Sequence, residues 1–346
     1  MSRTFIGARA FALKGSLLTQ ATIETLVEST SLEELINRLR GTPYSSVVSS
    51  LQPPFAARKL ELAFRMRLAN VHYSLMQSAG RYDIFELYYL KYIAWDLKTA
   101  LKSKALKRSY EESIEYLDLH AEELIGRREL IAKVLSANDV QEAATLLVGT
   151  EFGEDVEKAV AAYMNTGEVR FFDLYLDHAV MTQIATSYAR NAKTYASSRS
   201  TGAGGIGEIV GNDVGSYNVL SVIRGKLWGL PPAEIRSIII EPAYRFQIPL
   251  LQRMIDADST VEAIKLLPFE VPGTTTDEQA IAAVEEHFAA DIRHTATRAF
   301  VWQSLGPADA LALIKLLELE VRTLSAIAIG VEVDMPRRDI LAHIRF

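Results

Sequence analysis

The chain has 346 residues, 49% of them hydrophobic and 23% charged, with a formal net charge of −6 and no cysteine. That is the composition of a folded globular protein with room for two or three domains. The acidic balance excludes a general nucleic-acid binder, which needs surplus Lys and Arg, and the missing cysteines exclude disulfides, thiolate catalysis and Cys-based zinc sites.

Helical periodicity runs along the chain, with apolar residues at i, i+3, i+4 and i+7, so the predicted fold is all-α. The opening stretch, MSRTFIGARAFALKGSLLTQ, is basic and has no acid before Glu24. A presequence and a first helix both have that composition. Next comes SLEELINRLRGTPY, from Ser31 to Tyr44. It aligns without a gap on DVQEAATLLVGTEF (Asp139–Phe152), and a shorter copy, STVEAIKLLPFE, begins at Ser259. Each copy opens with Ser or Asp and has Glu three residues later: Ser31/Glu34, Asp139/Glu142 and Ser259/Glu262. This predicts three capping boxes, in which the first side chain accepts a backbone N–H and the Glu returns to the cap's own N–H.

The aromatic run YDIFELYYLKYIAW (82–95) reads as helix-packing core. It leads into DLKTALKSK (96–104), which aligns with NVLSVIRGK (218–226), ARAFALKGS (8–16) and TLSAIAIGV (323–331). In the first three a basic residue is followed by a small one, as expected for a helix whose cation sits at the negative end of its dipole. Two families of copies in phase indicate a tandem helical repeat, with the C-terminal copy completing the first unit.

TGAGGIG (201–207) matches G-x-G-x-x-G through Gly202, Gly204 and Gly207. A dinucleotide-binding turn must follow a buried strand and open a helix. Here a polar, Ser-rich stretch precedes it and GNDVGS follows, which is expected to spoil a long helix. We therefore read 198–214 as a mobile joint, with no cofactor and no nucleotide. RSIIIEP (236–242) is the one short β-branched run, too short to tell a strand from a buried helix. His287, Asp291 and His294 share one helical face, where metal ligands and a solvated surface have the same spacing, and the surface is expected. His72, His120, His178 and His343 are isolated and expected at the surface or capped. The adjacent pairs Glu111/Glu112, Glu122/Glu123 and Glu285/Glu286 diverge around their helices, and no nucleophile–base grouping can be assembled. No catalytic, cofactor or metal residue is predicted. The most apolar stretch, LALIKLLELEVRTLSAIAIGV, carries Lys315, Glu318, Glu320 and Arg322 and falls short of the about 20 apolar residues of a spanning helix.

These segments resemble a known family. SYNVLSVIRGKLWGLPPAEIRSIII is similar to the D-x-x-N-x-x-x-x-x-R-x-K-x-x-G-L-x-x-E-E-I pattern of the family of A-type/V-type ATP synthase C subunits, related to the d subunit of the eukaryotic V-ATPase. The matching residues are Asn218, Arg224, Lys226, Gly229, Leu230, Glu234 and Ile235. Ala8, Arg9, Leu17 and Leu18 resemble its opening, which implies a first helix and not a presequence, and Glu320, Ile327, Ala328 and Gly330 resemble its close. The chain departs from the pattern at Phe11, near Asp213, at EPAYRF, and at Thr323 and Val331. The resemblance implies three similar helical subdomains in a funnel-shaped, pseudo-threefold body: 1–82 completed by 308–346, then 83–207 and 208–307. It also implies a non-catalytic central-stalk subunit on the cytoplasmic face of the membrane. Such a protein couples the axle to the proteolipid ring in proton- or sodium-driven ATP synthesis or hydrolysis. Lys102, Lys104, Arg224 and Lys226 are then expected at subdomain junctions or partner surfaces. A generic helical scaffold for another protein partner is the alternative.

Overall fold

The computed structural model describes residues 3–80, 82–196, 205–271, 276–301 and 305–344. Every regular element among them is a helix, and there are nineteen. In chain order they are α1 (Arg3–Lys14), α2 (Gln20–Val27), α3 (Leu32–Leu39), α4 (Ser45–Val48), α5 (Ala57–Ala79), α6 (Ile84–Ala105), α7 (Tyr110–Ile114), α8 (His120–Leu124), α9 (Arg128–Ser136) and α10 (Val140–Leu147). There follow α11 (Gly153–Thr166), α12 (Arg170–Ala196), α13 (Ile206–Leu227), α14 (Pro232–Ser237), α15 (Ile248–Asp256), α16 (Thr260–Lys265), α17 (Asp277–Val301), α18 (Pro307–Glu332) and α19 (Arg337–His343). The chain forms two compact units, residues 1–136 with 303–346, and residues 137–302.

In the first unit α18 packs along α5, and α1 packs on α18. The opening stretch is thus a docked helix, with Ile6 and Ala10 buried. Its approach is so close that a Cβ on Gly7 would lie 2.1 Å from the Leu305 carbonyl carbon, so only glycine fits. Glu320 of α18 is a polar hub: it accepts the Leu18 backbone N–H, and it accepts the Tyr44 hydroxyl at 2.7 Å. The Arg67 guanidinium lies 4.5 Å from the Tyr44 ring centroid and donates to the Pro43 carbonyl at 3.1 Å. Burial pushes the Glu320 carboxyl up, and these donors and Arg67 pull it back. A second buried knot joins α5, α6 and α18. Glu318 meets Lys315 and, at 3.6 Å, Lys91. Burial, the largest influence on Glu318, pushes it up, but the two ammonium groups prevail and hold it at about 2.

His72, expected at the surface or capped, is fully buried in that knot's neighbourhood. One ring nitrogen pairs with the Tyr92 hydroxyl and the other with the Phe85 carbonyl, both at 2.9 Å. Burial lowers the imidazole to about 4, so it is neutral and stays inside because both nitrogens are satisfied. The aromatic run is core as expected: Tyr88, Tyr89 and Tyr92 of α6 are all buried.

In the second unit α13 packs against α12 and α17. Its core includes Val219, Val222, Ile223, Met254, Val284 and Phe288. GNDVGS does not break this helix. Residues 211–216 lie inside α13, where Gly211, Asn212, Asp213, Val214 and Gly215 are buried, so packing overrides the weak helix propensity of Gly and Asn. The expected loose joint therefore fails over 205–214. Gly202 and Gly204 lie outside the described residues. Gly207 is helical, and a Cβ there would fall 2.2 Å from the Tyr188 hydroxyl. RSIIIEP forms no strand. The Ile240 backbone instead pairs twice with the buried Asn218 side chain, its N–H donating to Oδ1 at 2.9 Å and its C=O accepting from Nδ2 at 3.0 Å.

Candidate functional site

The repeated segments build one local device three times, a corner where a long helix ends and a short helix turns back. α6, α13 and α18 each finish in the aligned copies of the DLKTALKSK motif, and α7, α14 and α19 follow. The N–H groups of Arg108, Leu230 and Met335 return to the carbonyls of Ser103, Gly225 and Gly330 at 2.9, 2.9 and 2.8 Å. Two residues earlier, those of Leu106, Trp228 and Val333 return to Lys102, Arg224 and Ile329. Between them Lys107, Gly229 and Asp334 take left-handed conformations, with φ of 54°, 68° and 53°. This is a six-to-one closure that satisfies orphan carbonyls and reverses the chain.

The small residue after the basic one has a packing reason. A Cβ on Gly225 would come within 2.8 Å of Ile235, ten residues on, and one on Gly330 within 2.7 Å of Ile340, again ten residues on. In the α6 copy the same two positions are Ser103 and Ser113, both buried. Where the returning residue is bulky the helix residue is glycine, and where it is small the helix tolerates serine.

The capped helices α3, α10 and α16 are the other repeated part. Ser31 accepts the Glu34 N–H at 3.2 Å, Asp139 the Glu142 N–H at 2.8 Å, and Ser259 the Glu262 N–H at 3.2 Å. The return bond differs from expectation in all three. Each carboxylate reaches one residue further back, to the N–H of Thr30, Asn138 and Asp258 at 2.9, 2.7 and 3.1 Å. The N–H orphaned in the link between two helices is thereby satisfied. The Thr30 N–H, ahead of Arg38, holds the exposed Glu34 carboxyl down at about 2. In the two longer copies the next turn also repeats: Thr42 and Thr150 donate to the carbonyls of Leu39 and Leu147 at 2.6 and 2.7 Å, seating the fully buried Tyr44 and Phe152.

The four basic residues predicted from sequence fall on two of the corners. Arg224 bridges to Glu285 of α17 at 2.6 Å. Lys226 donates to the Ile255 carbonyl at 3.0 Å and to the Ala257 carbonyl, closing the end of α15. These are ties within the second unit, between α13 and its neighbours. Lys102 and Lys104 are half-buried in the last turn of α6. Sequence reasoning missed two apolar tips, one of them beside Lys102 and Lys104: Leu106 and Val333 are 53% and 59% exposed at equivalent positions of two corners. Their only signal was position, three residues beyond the small residue of each copy.

On the face of His287, Asp291 and His294, His294 is exposed and the other two are held in side-chain contacts. His287 stacks on Phe269 with centroids 3.6 Å apart and lies 3.2 Å from Asp291, which Arg245 holds at 2.7 Å. No helix among the described residues is long and apolar enough to cross a membrane.

Residues 6–343 match the family model for the ATP synthase (C/AC39) subunit. The chain belongs to that family. It is a subunit of a rotary ATP synthase, and a structural one rather than the catalytic one. The A-type ATP synthase C subunit of Methanocaldococcus jannaschii is 24% identical over 94% of this chain and 82% of that protein. The proteins of the same name from Thermococcus kodakarensis and Pyrococcus horikoshii are 23% and 24% identical, over 93% and 94% of this chain and 85% of each relative. The three corners and three capped helices all lie inside the matched span.

Proposed function

We propose that the chain is the central-stalk subunit that couples the axle of the rotary machine to the membrane proteolipid ring. It acts during proton- or sodium-driven ATP synthesis or hydrolysis, as a peripheral protein on the cytoplasmic face of the membrane. The observation that carries this reading is the family match across nearly the entire chain. A coupler must carry load without yielding, and the corners suit that task. Each fixes the angle between two helices through backbone bonds and close packing, with little left to side-chain rotation.

The finer division into 1–82 with 308–346, 83–207 and 208–307 gives each body one corner: α18–α19, α6–α7 and α13–α14. Arg224 and Lys226 hold α13 to α17 and to the end of α15 inside the 208–307 body. Lys102 and Lys104, beside the exposed Leu106, belong to the partner-facing surface.

Affinity capture of the tagged chain from gently solubilised membranes, followed by chemical cross-linking, tests this. Axle and proteolipid subunits should be captured together, with cross-links on the α6–α7 corner. Capture of neither, or of an unrelated complex, refutes the reading.

A further inference from the structure

The corner repeat exposes an anomaly at its first residue. Asn218 in the α13 copy uses its amide to both donate to and accept from one backbone residue, Ile240, which lies 22 positions on. The aligned residue in the α6 copy is Asp96, and the residue 22 positions on is Asp118, whose backbone N–H donates to the Asp96 carboxyl. Asp96 thus takes the accepting half of the asparagine's role. An ionised carboxylate has no hydrogen for the other half.

Asp96 is only 5% exposed, and the side chain it meets is another carboxyl, Glu122 of α8, which is fully buried. Among the described residues, no N–H or hydroxyl of another residue reaches either Glu122 oxygen. Two acceptors held together in a dry site with no donor between them need a shared proton. The groups around them are unequal to the task of neutralising two charges. From α5 come Arg58, Glu61 and Arg65, from α6 Tyr89, and from the chain leading into and along α8 Asp118, His120 and Glu123. Arg65 is itself shared with Glu61 and stacks over Trp95 at 4.4 Å. His120 pairs with Asn70 at 2.7 Å in an exposed contact.

We propose that Asp96 and Glu122 hold one proton between them, and that this proton latches α8 against α5 and α6, so that the latch opens as the solution turns alkaline. Glu122 donates to Asp96, Asp96 accepts from Asp118 as Asn218 accepts from Ile240, and the pair carries a single negative charge facing Arg65. Loss of the shared proton places two carboxylates side by side with no donor between them, and α8 lifts. Burial, together with the neighbouring carboxylates, pushes both groups up from the ordinary carboxylate range, in keeping with the latch. An acid raised in the fold contributes its stability at low pH and loses it as pH rises towards the folded value.

The test uses the full chain. Infrared difference spectra should show a protonated carboxylic acid band at neutral pH that disappears in strong alkali and is absent from Glu122→Gln. Urea unfolding between pH 6 and 9.5 should show the wild-type unfolding constant rising by up to about tenfold per pH unit within part of that window. Glu122→Gln and Asp96→Asn should each flatten the slope, since both supply a hydrogen without a titration. If Glu122→Gln does not fold, Asp96→Asn and the wild-type spectrum still decide. No acid band at neutral pH, or slopes that run parallel in all folded proteins, overturns the latch.

Discussion

Replacing Gly330 by alanine tests the corner where α19 turns back on α18. The added Cβ would sit 2.7 Å from Ile340 Cγ1 and 2.9 Å from its Cδ1, inside any real carbon–carbon contact. Ile340 is 3% exposed and cannot swing into solvent without giving up its burial. Overpacking of this kind costs about 1–3 kcal/mol. Ile340→Ala alone leaves a hole and costs about 2–5 kcal/mol. The two changes together let the new methyl occupy the vacated space. The double variant should therefore be more stable than the sum of the single costs, with a coupling of about 1–2 kcal/mol, inside the range of touching residues. Urea titrations followed by far-UV circular dichroism measure all four proteins, with similar slopes required so that midpoints report stability. Additive costs, or a Gly330→Ala protein as stable as the parent, would show that the small residue of the motif is not there to admit the returning helix.

Further outcomes follow from the same packing. Gly7→Ala should lower stability at or beyond the upper end of the about 1–3 kcal/mol of overpacking, because the clash is with the Leu305–Gly306 backbone; a neutral change would mean α1 is not docked as described. Tyr44→Phe should cost about 1.5–3 kcal/mol in urea unfolding, the range of a hydrogen bond to a charged group, since the buried Glu320 loses its 2.7 Å donor. His72, lowered from 6.5 to about 4, contributes stability that is fully present above pH 6.5 and is lost as pH falls towards 4. The loss amounts to about 3 kcal/mol across that window. His72→Gln should flatten the slope there, and identical slopes would contradict a neutral, buried imidazole.

Much of the repeat was legible because its signals are local. Ser31, Asp139 and Ser259 cap their helices through short-range bonds, and such bonds leave a sequence signature four residues long. The return bonds went one residue further than expected because the orphaned N–H belongs to the link, which only the preceding helix defines. The joint was misread for a different reason. Glycines at 207, 211 and 215 predict a break by propensity, yet Gly207 is required by Tyr188 on another helix, and Gly215 would meet Phe246 at 3.0 Å. Such long-range contacts leave no local trace. His72 was missed likewise, since its partners, Tyr92 and Phe85, come from a different helix. The placement of Arg224 and Lys226 at helix ends was visible, but their partners, Glu285 and the end of α15, were not.

The central claim is mechanical coupling, and it is tested most directly by removing the chain from the complex. In membranes from a strain lacking it, the catalytic head should still hydrolyse ATP, but that hydrolysis should no longer drive ion movement, and adding back the purified chain should restore the link. Ion movement that persists at the normal ratio to ATP hydrolysed without the chain would contradict the account.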